Sequence, residues 1–128
     1  MNRRNFLRAA VAAVGVAPVL AGGLAEAHHG WGWATDEEFE LTGVIVGVKL
    51  GNPHGELTLA VPDGEEWIVE IGQPWRNQNA GLTEELLAAG TEVTAHGHRS
   101  AKPDEPLMKA ERLVIAGESY NLYPDRSS

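Results

Sequence analysis

The 128-residue chain has no cysteine, which excludes disulfides and thiolate metal sites. Any metal must therefore be held by imidazole, carboxylate, thioether or backbone groups. Positive charge is scarce, with 10 Lys and Arg against 18 Asp and Glu. Such a balance leaves no basic footprint for nucleic acid or anionic lipid. Enzyme signatures are missing too: there is no Ser or Cys nucleophile motif, no phosphate-cradling glycine loop and no H-E-x-x-H helix. The adjacent pairs Glu37-Glu38 and Glu65-Glu66 point to opposite faces of a strand and read as solvated surface rather than as a catalytic dyad. No period repeats along the chain.

What is present begins with an export leader. Arg3 and Arg4, then Asn5-Phe6-Leu7-Arg8, precede an apolar run from Ala9 to Leu24. The pattern resembles a twin-arginine signal, with Arg8 where Lys is commoner. Pro18 and the Ala/Gly richness of the run suit a removable signal better than a spanning helix. Ala25-Glu26-Ala27 is an A-x-A cleavage site. Cutting after Ala27 removes Arg3, Arg4, Arg8 and Glu26 and leaves 7 basic against 17 acidic residues, a formal charge of −10. The expected organisation is a signal over 1–27, an N-terminal arm over 28–38, one small barrel over 39–117 and a tail over 118–128, in the periplasm with no stable membrane insertion after cleavage.

The mature part reads as mainly β. Phe39 and Leu41 share one face, and Val44, Val46, Val48 and Leu50 the other, so the first strand is expected to bend at Gly43 and bury Val44, Val46 and Val48. The turn formers Gly51-Asn52-Pro53-His54-Gly55 follow, then a strand with Leu57, Leu59 and Val61 alternating. Pro62-Asp63-Gly64-Glu65 predicts a tight hairpin into a strand marked by Trp67, Val69 and Ile71. The chain changes character at Pro74, and Thr83 as N-cap with Gly90 as stop predicts one short helix. Two strands, from Thr91 and from Leu107 to Ile115, complete the order of a five-stranded OB-fold-like barrel with a helix between strands three and four.

The His-His-Gly-Trp start, Asn52-Pro53-His54-Gly55, Asp63-Gly64 closely followed by Trp67, and the Leu-rich segment ending at Gly90 before Val93 together resemble one exported bacterial group, domain of unknown function 6152. The resemblance implies an exported OB-like barrel and no particular activity.

All five histidines lie in the mature chain. A cut after Ala27 makes His28 the first residue, so its α-amine and imidazole can chelate one ion, with His29 as a further donor. A cut after Ala25 gives Glu26-Ala27-His28, a third-position histidine that suits square-planar Cu(II) or Ni(II). His54 sits in the first inter-strand loop, a binding edge of OB barrels, and either ligates an ion or caps its own loop. His96 and His98, two apart on a strand, share a face and form a further candidate pair. Met108 is a soft donor better read as core. The metal candidates are thus His28, His29, His54, His96 and His98, with copper expected ahead of zinc and nickel. The competing expectation is a metal-free periplasmic module that uses the barrel face and Trp31, Trp33, Trp67 and Trp75 to bind a peptide, glycan or envelope protein. No catalytic residue is expected in either case.

Overall fold

The computed structural model describes residues 30–126. The chain divides into two compact units, residues 1–33 and 34–128. In the first, only residues 30–33 are described; they turn, and Trp33 is buried.

The second unit holds strands β1 (Phe39–Lys49), β2 (Glu56–Ala60) and β3 (Glu66–Glu70), helix α1 (Pro74–Ala80), then β4 (Glu92–Arg99), β5 (Leu107–Ile115) and β6 (Glu118–Asn121). The sheet order is β3-β2-β1-β4-β5-β6, and β3 also pairs with β5. That last pairing is parallel, joining Ile68, Val69 and Glu70 to Leu107, Met108 and Lys109. It closes β1 to β5 into the expected five-stranded barrel, with β6 added as a hairpin partner of β5. Closure removes the free edges of the first five strands. Ile45, Leu57, Leu59, Trp67, Val69, Val93, Ala95, Met108 and Leu113 fill the interior. Phe39 stacks on Trp67 with ring centroids 5.3 Å apart, and the Arg99 guanidinium lies 5.0 Å from the Trp67 ring centroid. The hairpin is as expected: the Gly64 N–H donates to the Val61 carbonyl at 2.9 Å, and Gly64 takes φ +91°.

Three features differ from the sequence expectation. Ile45 is fully buried, whereas Val44, Val46 and Val48 are 37, 48 and 40% exposed. The inward phase of Phe39 and Leu41 continues through Gly43 to Ile45, and the irregularity falls later, between Ile45 and Gly47. Gly43 is there for another reason: a Cβ at that position would lie 2.8 Å from the Ala60 carbonyl oxygen. The position at which a buried carboxylate would be ruinous is therefore Ile45, not Val46.

The helix is α1, one segment earlier than Thr83–Gly90. Pro74 opens it with a pre-set φ, and Gly81 ends it in the left-handed region at φ +92°. The Asn77 carboxamide fixes it to the end of β3, accepting from the Gly72 N–H at 3.0 Å and donating to the Gly72 carbonyl at 2.9 Å. Thr83 does cap, but only a turn: its Oγ1 accepts from the Leu86 N–H at 3.2 Å. Finally, the tail expected after residue 117 forms β6, and its Leu122 and Tyr123 are buried. Among the described residues, no helix is long and apolar enough to cross a membrane.

Candidate metal centre

β1 and β4 run antiparallel in unbroken register, pairing Thr42 with Thr94 and Glu40 with His96. Their outer faces therefore carry a ladder of polar rungs. Thr42 and Thr94 share a hydroxyl hydrogen bond of 2.8 Å. At the next rung, His96 Nε2 lies 3.5 Å from Glu40 Oε1, and Glu40 is largely solvated. Just ahead of β1, Glu38 Oε1 lies 3.7 Å from His98 Nε2. The two histidines share a face, as their spacing requires, but each faces its own carboxylate.

His98 differs from His96 in its surroundings. Its side chain is 6% exposed and sits 3.4 Å from Oε1 of Glu111, which is 1% exposed. Glu111 is there because of a bulge. β5 pairs Arg112 with His96 and Ala110 with Gly97, so Glu111 is the extra residue between them. Gly97 permits this, since a Cβ on it would overlap the Lys109 carbonyl. The C-terminal segment then covers the bulge. The Leu122 and Tyr123 N–H groups both donate to the Glu111 carbonyl, at 2.9 and 3.3 Å, and Arg126 Nε donates to Glu111 Oε2 at 2.7 Å. Glu111 Oε1 is buried without a hydrogen-bond partner.

The His98 ring is oriented from its other side, where Nδ1 lies 2.9 Å from the Glu37 carbonyl oxygen. A carbonyl only accepts, so Nδ1 carries the proton; in the neutral ring the lone pair is then on Nε2, towards the two carboxylates. One donor atom each from Glu38, His98 and Glu111 lies within 4.8 Å of the others, the single such group among the described residues. Sequence reading missed both carboxylates. Glu38 looked like surface, and Glu111 is brought in only by a bulge and a strand pairing distant in sequence.

His54 is placed otherwise. Its Nδ1 lies 3.4 Å from Glu70 Oε1, which Lys109 Nζ faces at 3.0 Å as an ion pair. Lys109 is itself 2% exposed and lies 5.8 Å from the Tyr123 ring centroid. Burial pushes the Tyr123 phenol above its usual value of 10.0, with Arg76 opposing. A built-in cation therefore already serves the carboxylate beside His54. His28 and His29, and with them the expected sharing of an ion between His28 and His54, lie outside the described residues.

A separate feature lies between the start of the β1–β2 loop and the segment after α1. A cavity of about 540 Å³ is lined by Leu50, Pro74, Leu82 and Leu87, with Thr83 and Glu84 at its polar side. Trp75 stands exposed nearby in sequence, its ring 4.5 Å beneath the Arg76 guanidinium.

The sequence model of the Family of unknown function (DUF6152) matches residues 17–105, and the chain belongs to that family. No curated protein matches it. Among solved structures, the S. pombe Stn1-ten1 complex is similar at 14% identity and a TM-score of 0.46, over 63% of this chain and 59% of that one. A ZRD-deleted mutant of TiaS in complex with agmatine is similar at 15% identity and a TM-score of 0.46, over 67% of this chain and 26% of that one. The chain thus spans less than two thirds of the length of either matched chain.

Proposed function

We propose that this family member is an exported, periplasmic protein that binds or handles a metal ion, copper foremost, through His28 and His29 of the mature N-terminus. The observation that carries the reading is the position of that pair directly behind Ala25-Glu26-Ala27. Cleavage there turns one imidazole into a bidentate amine–imidazole donor, or, two residues earlier, into a square-planar third-position site. The absence of cysteine supports nitrogen ligation. His54 and His96 each face a carboxylate of their own, which favours the N-terminal pair over them as the copper donors.

The test is copper titration of exported protein whose N-terminus has been read by mass spectrometry. One equivalent of Cu(II) is expected at pH 7, with much of it released by about pH 5, because ligating nitrogens regain protons through the ordinary histidine range near 6.5. Binding no stronger than that of a His28→Ala, His29→Ala control overturns the reading.

The second reading, a metal-free binding module for a peptide, glycan or envelope protein, is favoured by the apolar cavity beside Leu50, Leu82 and Leu87. Acetylation of the N-terminal amine separates the two. It abolishes copper chelation by the terminal amine and leaves a barrel-face binder untouched.

A further inference from the structure

We infer that the barrel carries a second cation site, independent of the N-terminus, formed by Glu38, His98 and Glu111 and suited to a divalent ion of the zinc class. Four observations converge on it. First, the separations are wrong for hydrogen bonds and right for a shared ion. His98 Nε2 stands 3.4 Å from Glu111 Oε1 and 3.7 Å from Glu38 Oε1. Donors bound at about 2.0–2.1 Å round a tetrahedral ion lie about 3.3 Å from one another.

Second, each inner donor is held by an outer partner. The Glu37 carbonyl fixes the His98 ring through Nδ1. Arg126 takes Glu111 Oε2 at 2.7 Å, which turns Oε1 towards His98. Carbonyl-to-imidazole and donor-to-carboxylate contacts of this kind orient metal ligands.

Third, Glu111 Oε1 is buried with no hydrogen bond, an unfavourable arrangement for a charged group unless something occupies the position. An ion coordinated there removes that cost.

Fourth, the donor set selects the ion. One imidazole nitrogen and two carboxylate oxygens suit zinc and neighbouring divalent ions, and offer nothing to Cu(I), which prefers soft sulfur. Glu38 is 56% exposed, so the group opens to solvent on its side. Three protein donors with an open fourth position describe an exchangeable site rather than a closed structural one.

The experiment titrates Zn(II) into full-chain exported protein carrying His28→Ala and His29→Ala, so that the N-terminal chelate is removed. Retention of one Zn(II) equivalent is expected. In that background, Glu38→Gln should weaken binding at least 10-fold while leaving the metal-free melting temperature unchanged, since Glu38 is largely solvated. Glu111→Gln should abolish binding. Co(II) substituted for Zn(II) should give a visible d–d spectrum that Glu38→Gln alters. No Zn(II) binding in the His28→Ala, His29→Ala protein overturns the inference. Equal affinity in the Glu38→Gln and Glu111→Gln variants overturns it too. Copper binding by the native N-terminus is a separate readout, so either site can fail without the other.

Discussion

His54 and His98 each face a buried glutamate on the outer surface of the same barrel, at 3.4 Å from Glu70 and 3.4 Å from Glu111 respectively. Around Glu70 the cation is a side chain of the protein: Lys109 reaches the same Oε1 at 3.0 Å from the adjoining strand as an ion pair. Around Glu111, Arg126 takes Oε2, while Oε1 faces His98 in a group that a second carboxylate, Glu38, completes. A histidine beside a glutamate is thus not a metal site by itself. What separates the two clusters is whether the protein's own ammonium or guanidinium already occupies the oxygen that faces the imidazole.

The largest test of that difference is Lys109→Met. Removing the lysine strands a buried Glu70 carboxylate and should cost about 3–5 kcal/mol of stability in chemical denaturation. Zn(II) should not restore it, because among the described residues no group of three metal-ligating side chains forms around Glu70. Full rescue by Zn(II) would erase the distinction between the clusters.

Next comes Gly97→Ala. Its Cβ meets the Lys109 backbone, so β5 must shift at the bulge that presents Glu111. A loss of about 1–3 kcal/mol is expected from the overpacking, together with weaker Zn(II) binding. An unchanged midpoint and affinity would show that the bulge does not position Glu111.

Arg126→Gln should cost less, about 1–2 kcal/mol, since the arginine is 38% exposed and part of its contribution is screened by water. Here the prediction for Zn(II) is the opposite of that for Lys109→Met: the ion should recover most of the lost stability. A melting curve that Zn(II) leaves unmoved would remove Glu111 from the candidate site.

The smallest effect concerns Tyr123, which sits over Lys109. Its phenol titrates above 10.0 in the folded protein because burial disfavours phenolate. The unfolded chain loses that proton first. The stability contributed is therefore fully present below pH 10 and is lost as pH rises through the raised value. Ultraviolet titration of a Tyr120→Phe protein should place the Tyr123 midpoint above 10.0; a midpoint at the ordinary value would show that Tyr123 is not buried.

Local chemistry made much of the barrel legible. Pro62-Asp63-Gly64-Glu65 specifies its hairpin because Gly64 takes a positive φ that glycine tolerates, and Trp67 is buried as its alternation requires. Long-range pairing hid the rest. Val44, Val46 and Val48 form an apolar alternation as regular as any inward face, and only closure of the barrel around Ile45 decides which phase is interior. Thr83 through Gly90 has the residues of a helix, yet Pro74 and Gly81 punctuate the one that forms. The candidate centre was half legible. His98 stood out by residue type, whereas Glu38 and Glu111 are ordinary surface-type residues, one placed just ahead of β1 where it meets β4 and the other by a bulge in β5.

The central proposal is that this protein binds metal ions at two distinguishable places, and native mass spectrometry in Cu(II) plus Zn(II), on protein whose N-terminus has been read, tests it most directly. The account predicts two bound ions: a copper lost on acetylation of the N-terminal amine, and a second divalent ion lost in Glu111→Gln but not on acetylation. A spectrum with no more metal than a protein lacking His28, His29 and Glu111 would contradict it.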